Sequence, residues 1–135
     1  MLSRKAAAVA KKLAGVNEMS SDCIFCKIIK GEIPCKKVYE DEDIFAFHDI
    51  NPMAPVHFMV VPKQHITSLA EADAGHAVVL GKLFSSLGEL AKKQGLTDGF
   101  RTIINTGRVG RQEVYHLHVH VVGGPEQLGP MLPRK

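Results

Sequence analysis

His116-Leu117-His118-Val119-His120-Val121-Val122, near the C-terminus, is the most informative segment of this chain of 135 residues. Three histidines alternate with aliphatic residues, and side chains at i, i+2 and i+4 share one face of a strand. The pattern predicts three imidazoles in a row about 7 Å apart, with Leu117, Val119 and Val121 facing a core. Because imidazole titrates near neutral pH, it can act as nucleophile, general acid–base or metal ligand. The segment therefore indicates a functional site in preference to a merely solvated strand face.

Two helices are predicted upstream of this segment. A short helical turn from Ile24 to Lys30 is stopped by Gly31. A long helix runs from about Gly75 to Gln94, ends at Gly95 and follows a Ser68-x-x-Glu71 sequence that has the form of a capping box. The apolar stripe of the long helix is Leu80, Leu83, Phe84, Leu87, Leu90 and Ala91.

Alternating apolar patterns bounded by turn residues predict five strands. Three strands precede the long helix and two follow it, an order typical of an α+β fold with a five-stranded antiparallel sheet. The predicted strands are Lys37–Glu40, Ile44–His48, His57–Val61, Phe100–Asn105 and Val114–Val122.

The N-terminal residues 1–21 are predicted to be an arm separate from a single domain over 22–135. Apolar residues recur at helical spacing in the arm, opposite Arg4, Lys5, Lys11 and Lys12, and residues 1–17 contain no acidic residue. Such a segment is typical of a mitochondrial transit peptide, and the alternative is a helix that docks on the domain or on a partner. An intracellular protein is expected, cytoplasmic or, if the arm is a transit peptide, mitochondrial.

Composition excludes several classes of partner. Outside residues 1–17 the chain holds 13 basic and 14 acidic residues and shows no basic stripe with interleaved aromatics, so no nucleic-acid partner is expected. No apolar run approaches the roughly 20 residues needed to span a membrane, so no membrane partner is expected either. Three cysteines cannot pair completely, which suits a reducing compartment.

The loop directly before the histidines, residues 105–113, has two glycines, two arginines and an amide side chain near each end. Backbone N–H groups of such a loop can hold an anion. A phosphate held over a row of imidazoles suggests nucleophilic catalysis at phosphorus, with a neutral imidazole nitrogen displacing the leaving group and water cleaving the resulting phosphoramidate.

These residues resemble the histidine triad (HIT) superfamily, whose signature is His-φ-His-φ-His-φ-φ with φ hydrophobic. Residues 22–29 resemble the N-terminal motif of that family, and residues 47–58 and 60–65 its middle. The similarity covers about residues 22–124. Ala54-Pro55-Val56-His57 and the short tail rich in Gly and Pro favour the Hint branch, the histidine triad nucleotide-binding proteins, over the dinucleoside polyphosphate hydrolases.

The resemblance implies a homodimeric HIT-like α+β protein that binds purine mononucleotides and hydrolyses adenosine 5′-phosphoramidates and aminoacyl adenylates to AMP. It implies that His118 becomes nucleotidylated, that His120 and His57 position and assist it, and that His116 lies behind them. It implies that Asn105 and Gln112 hold the phosphate region and that Asp49 and Ile50 bind the ribose and flank the base. The implied base pocket is formed by four apolar residues, for which plain core packing is an equally good interpretation: Phe25, Ile28, Ile33 and Phe47. The whole implied nucleotide site comprises Phe25, Ile28, Ile33, Phe47, Asp49, Ile50, Asn105, Gln112, Glu113, Val114, His118 and His120.

Two residues depart from the Hint pattern. Glu113 follows Gln112 where Ser is typical, and Arg111 stands where Gly is usual. A carboxylate beside a phosphate repels it unless it points away, is neutralised by Arg108 or Arg111, or acts as a proton donor with a raised pKa.

Cys23-x-x-Cys26 has the spacing of half a zinc site. In zinc-containing relatives the partners resemble His65 and His116. A structural zinc, a redox pair and two unligated thiols are the alternatives, and no cofactor is expected to be required for catalysis.

Two further functions remain open. One is a nucleotide-binding regulatory partner protein with residual catalysis, favoured by Glu113 and Arg111 in the loop. The other is a catalytic metal centre on His118 and His120, since His-x-His pairs on strands can bind metals.

Overall fold

The computed structural model describes residues 22–132. The predicted basic arm, residues 1–21, lies outside the described residues, and so does the last part of the tail. Two single turns of 3₁₀ helix, Leu69–Glu71 and Ala74–His76, precede the long helix. The helices and strands, numbered in chain order, are α1 (Ile24–Ile29), β1 (Lys37–Glu40), β2 (Ile44–His48), β3 (Val56–Pro62), α2 (Ala77–Lys93), β4 (Arg101–Ile103) and β5 (Val119–Gly123).

The five strands form one antiparallel sheet in the order β1-β2-β3-β5-β4. This confirms the prediction of an α+β fold with a five-stranded sheet, one long helix and one short helix. In the centre of the sheet Met59 lies opposite His120, and Val60 lies opposite Val119. No helix of the described part of the chain is long and apolar enough to cross a membrane.

The two helices pack on opposite faces of the sheet, as the alternation of side chains along the strands requires. The face under α2 buries Ile44, Ala46, Phe58, Val60, Val119 and Val121 with Leu83, Leu87, Leu90, Ala91 and Leu96. The face under α1 buries Phe45, Phe47, Met59 and Val61 with Phe25 and Ile28. Because His57 and His120 occupy the same alternating positions as Met59 and Val122, they lie on the α1 face.

The N-terminus of α2 differs from its prediction. Ser68 accepts a hydrogen bond from the Ala70 N–H and so caps only the first 3₁₀ turn. A reciprocal capping box of Asp73 and His76 caps the second 3₁₀ turn. Helix α2 begins at Ala77, two residues later than predicted, and no side chain caps it. The predicted stripe holds for four of its residues, but Phe84 is 44% exposed.

The histidine segment does not form the predicted strand from Val114, because β5 begins only at Val119. Beyond Pro62 the chain of β3 bends away, and the Leu117 N–H binds the Ile66 carbonyl oxygen instead of a ladder partner. Strand β4 is also shorter than predicted. It pairs only with Val122, Val121 and His120 of β5, because β5 begins only at Val119.

Candidate active site

Three imidazoles meet on the α1 face of the sheet. The ring of His120 lies between His118, at a centroid distance of 5.0 Å, and His57, at 5.1 Å. The ring of His116 contacts those of His65, at 4.8 Å, and Phe25, at 6.0 Å. The ring spacing of 5.0 Å between His118 and His120 is shorter than the predicted spacing of about 7 Å, and a run of contacting rings extends from His57 through His120 to His118.

The tautomer of His118 is fixed by the main chain. Its Nδ1 lies 2.8 Å from the His116 carbonyl oxygen, and because a carbonyl only accepts, Nδ1 carries the proton. Nε2 is then left with its lone pair. Burial lowers the pKa of His118 below 6.5, against the opposing effects of the bond to His116 and the charges of Asp49 and Glu113. At neutral pH His118 is therefore an uncharged imidazole with a nucleophilic Nε2.

A second chain of hydrogen bonds fixes His57 and His120. The Met53 N–H donates to His57 Nδ1 over 3.0 Å, so the proton of neutral His57 is on Nε2. That Nε2 lies 2.9 Å from His120 Nδ1 and donates to it, which leaves Nε2–H of His120 as a free donor. Burial, reinforced by the neighbouring His118 and His57, lowers the pKa of His120 to about 4. Burial also lowers the pKa of His57.

Asp49 lies next to this chain of imidazoles. One carboxylate oxygen is 3.5 Å from His57 Nε2, and the other accepts the Asn51 N–H over 2.7 Å. The side chain is thus held in a turn at the edge of the site. Ile50, which the resemblance implies to flank the base, is 89% exposed.

The loop of residues 105–113 is braced from inside by Gln112. Its amide group donates to the carbonyl oxygens of Thr67 and Val114 and accepts the Gly107 N–H, each over 2.9–3.0 Å. Because all of these partners are main-chain groups and Gln112 is 7% exposed, its side chain shapes the loop. Asn105 is half-buried at the start of the loop.

The same loop holds a strained residue. Arg111 has φ of 63°, and among residues 22–132 it is the one residue other than glycine with positive φ. The left-handed region costs a residue with a Cβ about 1–2 kcal/mol. A Cβ added to Gly110 would stand 2.5 Å from the Thr106 carbonyl oxygen. The loop therefore depends on close backbone approach at Gly110 and tolerates Arg111 at a cost.

Glu113 is exposed beside the site. Within the part of the chain that the structure describes, no ion pair joins it to Arg108 or Arg111. Neutralisation of Glu113 by these arginines is therefore not found, and its charge acts on His118.

The apolar residues implied for the base pocket are brought together under α1. Phe25, Ile28 and Phe47 are buried in one cluster, and Ile33 and Val114 pack against it. The Phe25 ring stands edge-on to Phe47 at 5.4 Å and to His118 at 5.1 Å. This cluster thus forms a wall beside the nucleophilic imidazole.

The four predicted metal donors also converge. Ligand atoms of Cys23, Cys26, His65 and His116 all lie within 4.8 Å of one another. His116 Nδ1 is 3.4 Å from Cys23 Sγ and 3.5 Å from Cys26 Sγ, and His65 Nδ1 is 3.3 Å from Cys26 Sγ. The side-chain hydrogen bond with Cys26, followed by those with His116 and His65, lowers the pKa of Cys23 to about 2, although burial opposes it.

This donor set fits zinc. In a tetrahedral site with Zn–S near 2.3 Å and Zn–N near 2.0–2.1 Å, sulfur and nitrogen ligands are about 3.6 Å apart, close to the separations found. His116 Nε2 lies 2.8 Å from the Pro62 carbonyl oxygen, so Nε2 carries the proton and Nδ1 presents its lone pair to the sulfurs. Such a hydrogen bond is the usual outer support of a metal-binding histidine.

Asp49, His57 and His120 form a second group close enough for a metal ion. The Met53 N–H already places the proton of His57 on the nitrogen that faces His120. The 2.9 Å separation is therefore that of a hydrogen bond. His118 belongs to neither group of potential ligands found among residues 22–132, which gives no support to a catalytic metal on His118 and His120.

Sequence reasoning missed the main-chain atoms that set these tautomers. The Met53 N–H and the carbonyl oxygens of Pro62 and His116 select one nitrogen of each imidazole. No sequence signal identifies them, because every residue type presents the same main-chain groups.

A family model described as HIT domain matches residues 30–127. Protein HitA of Neisseria gonorrhoeae is 54% identical over 104 residues, covering 77% of this chain and 97% of HitA. The 14 kDa zinc-binding protein of Zea mays is 49% identical over 112 residues, covering 82% of this chain and 88% of that protein. The purine nucleoside phosphoramidase of Escherichia coli is 43% identical over 118 residues, covering 87% of this chain and 98% of that enzyme.

Solved structures agree with this assignment. A HIT family hydrolase from Clostridium thermocellum superposes with a TM-score of 0.79 at 39% identity, covering 84% of this chain and 99% of that one. A histidine triad nucleotide-binding protein from Candida albicans superposes with a TM-score of 0.71 at 32% identity, covering 84% and 85%. The family model spans most of the chain and the relatives align over nearly their whole length, so this chain belongs to the HIT domain family.

Proposed function

We propose that the protein is a purine nucleotide-binding hydrolase that cleaves adenosine 5′-phosphoramidates, and aminoacyl adenylates of the same type, to release AMP. The observation that carries this proposal is the pair of preset tautomers: His118 offers a lone pair on Nε2, and His120 offers a proton on Nε2. A nucleophile and a proton donor whose rings are 5.0 Å apart are what displacement at phosphorus requires. The relative named purine nucleoside phosphoramidase supports the same reaction class.

In the first step, Nε2 of His118 attacks the phosphorus and the P–N bond breaks. The substrate nitrogen takes up a proton from solvent and departs as the amine with the electron pair of the P–N bond. It accepts a hydrogen bond from Nε2–H of His120, which stays neutral with its Nδ1 bonded to His57. The nucleotidylated His118 is an imidazolium, and its Nδ1–H still donates to the His116 carbonyl oxygen, which stabilises the positive charge.

In the second step, water attacks the same phosphorus and the bond to His118 breaks. Water gives up a proton to solvent, which balances the proton taken up in the first step, and both imidazoles end in their starting tautomers. Asp49, 3.5 Å from His57 Nε2, favours a positive charge on this pair whenever a proton is held there. Atoms balance as phosphoramidate plus water giving AMP plus amine.

Substrate binding uses two neighbouring surfaces. The purine lies against the apolar cluster of Phe25, Ile28 and Phe47, with Ile33 and Val114 at its margin. Asp49 and Ile50 contact the ribose side. The phosphate lies against Asn105 and the main chain of residues 106–113, which Gln112 holds in shape.

Zinc binding by Cys23, Cys26, His65 and His116 is part of the proposal. The donor separations and the Pro62 hydrogen bond support it, and one relative is named a zinc-binding protein. Bound zinc would supply a cross-link between the start of α1 and the histidine segment, and it takes no part in the bond-breaking steps.

Homodimer formation also remains a proposal. Strand β4 is an edge of the sheet, and Phe84 of α2, Phe100 and Ile103 are apolar and exposed. Sedimentation measurements with the wild type and Phe84→Glu test this, because a dimer that covers Phe84 dissociates on introduction of the charge. A monomeric wild-type protein at micromolar concentration would exclude it.

The function is tested by turnover of adenosine 5′-phosphoramidate, with AMP and amine both measured. Wild type is expected to release both, and His118→Ala to lose at least about 10³-fold in kcat/KM. His48→Gln is the matched control, because His48 pairs with Phe58 and so lies on the opposite, α2 face. Undiminished turnover by His118→Ala contradicts the mechanism. Tight AMP binding with negligible turnover by the wild type would favour the regulatory, nucleotide-binding alternative.

A further inference from the structure

His116 belongs to two sites at once. Its side chain faces the cysteines, with Nδ1 3.4 Å from Cys23 Sγ and 3.5 Å from Cys26 Sγ. Its main-chain oxygen accepts Nδ1–H of His118 over 2.8 Å. The ring is completely buried and is held at its far side by Pro62. A displacement of the His116 ring must therefore be transmitted to the carbonyl group that orients the nucleophile.

Phe25 provides a second connection between the two sites. It lies between Cys23, which caps α1 by accepting the Cys26 N–H, and Cys26 itself. Its ring stands edge-on to His118 at 5.1 Å, to His116 at 6.0 Å and to Phe47 at 5.4 Å. Helix α1 has six residues, far fewer than an isolated helix needs in water, so its position depends on the groups that hold it. The two cysteines are among those groups.

We infer that zinc at Cys23, Cys26, His65 and His116 and nucleotide at the triad are energetically coupled, each raising the affinity for the other. Zinc fixes the main chain of His116, and the carbonyl group of His116 orients His118. Zinc also fixes α1, and α1 positions the Phe25 ring beside His118. His116 is then a positioning residue and not a catalytic one. The inference rests on the proposed nucleotide site and goes beyond it, because a zinc that only cross-links the fold would leave nucleotide affinity unchanged.

Coupling of this kind is reciprocal. If zinc raises the affinity for AMP by some factor, AMP must raise the affinity for zinc by the same factor. Couplings between sites in proteins are typically between about 5-fold and 150-fold. The close contacts through His116 and Phe25 lead us to expect a factor of about 5 or more.

The experiment uses the full chain. AMP affinity is measured by calorimetry on zinc-loaded and chelator-treated protein, and zinc affinity is measured by competition with a chromophoric chelator with and without saturating AMP. We expect AMP to bind about 5-fold or more tightly to the zinc-loaded form, and AMP to tighten zinc by a matching factor. Equal AMP affinity in the two folded forms overturns the inference alone. Absence of AMP binding in the zinc-loaded form overturns the proposed nucleotide site and the inference with it.

Two variants separate the metal site from general thiol loss. Cys23→Ser is expected to lower zinc affinity and to bring AMP affinity down towards that of the metal-free wild type. Cys35→Ser is the matched control, because Cys35 lies outside the group of four donors. It is expected to keep the zinc affinity and the coupling factor, although Cys35 packs against the Phe25 cluster and the AMP affinities of both metal forms can change together. A loss of coupling in Cys35→Ser contradicts the assignment to His116 and Phe25.

If the metal-free protein does not fold, the comparison is made between zinc-loaded and cadmium-loaded protein. Cd²⁺ is larger and also binds thiolates, so it keeps the cross-link but moves the ligands apart. We expect AMP affinity and the side-chain ¹⁵N shifts of His118 to differ between the two metals. Equal affinities and unchanged His118 shifts overturn the inference, because a simple cross-link is equally served by either ion.

Discussion

The Nδ1 of His118 lies 2.8 Å from the main-chain oxygen of His116, two residues earlier in the chain. The contact is local in sequence, yet it decides which ring nitrogen is nucleophilic. In the proposed reaction it would also stabilise the imidazolium formed when Nε2 is nucleotidylated. The proposed chemistry is thus set by a backbone group of the residue that also faces the cysteines.

The first prediction concerns the pH dependence of kcat/KM. Burial holds the pKa of His118 below 6.5 and that of His120 at about 4. The nucleophile must be neutral, so activity should fall with decreasing pH along an acid limb centred below pH 6.5. An acid limb centred above pH 6.5, measured at saturating zinc, would contradict the burial of the nucleophile.

Glu113→Gln should move this acid limb to lower pH. Burial is the main cause that lowers the pKa of His118, and the charge of Glu113 opposes it. Removing that charge lowers the pKa further. Glu89→Gln on α2 makes the same charge change on the helix that covers the other sheet face, and it should leave the profile in place. A shift to higher pH in Glu113→Gln would show that its charge does not act on His118 as described.

Arg111→Gly should stabilise the protein. Relief of the left-handed backbone at φ of 63° should raise the free energy of unfolding by about 1 kcal/mol. Arg108→Gly, in the same loop without positive φ, should lower it by about 0.5–1 kcal/mol. Urea denaturation of the three proteins measures both values, and destabilisation by Arg111→Gly would mean that its side chain holds the loop.

Gly110→Ala should disable the loop without unfolding the domain. The new Cβ would meet main-chain atoms of Thr106 at 2.5 and 2.8 Å, so the loop must shift, at a cost of about 10²-fold in kcat/KM. Gly81→Ala is the control, because nothing lies within 4 Å of its added Cβ. It should keep activity and stabilise α2 by about 1 kcal/mol. Full activity in Gly110→Ala would remove the loop from the site.

Much of this fold is readable from apolar periodicity. Strands β1 and β2 have the predicted bounds, and α2 begins two residues and ends one residue inside its prediction. The start of β5 is not readable in this way. Residues 116–118 alternate as regularly as residues 119–122, but only residues 119–122 pair with a neighbouring strand. Whether a strand continues depends on what lies beside it, here the bend after Pro62.

For the candidate site, too, the sequence predicts which residues converge but does not predict how their rings are oriented. The convergence of the two cysteines with His65 and His116 was anticipated from spacing and resemblance. The orientation of the rings was not, since it follows from Met53, Pro62 and His116 through main-chain atoms. Residue identity carries the chemistry, and the course of the backbone decides which nitrogen performs it.

The most direct test of the account is the covalent state of His118 during turnover. Protein is mixed with excess adenosine 5′-phosphoramidate, quenched within milliseconds at alkaline pH, digested and analysed by mass spectrometry. The account predicts one adenylyl group on His118 in the wild type, formed and lost at the rate of turnover, and none in His118→Ala. An adenylyl group on His120 or His57, or steady turnover with no modified histidine, would contradict it.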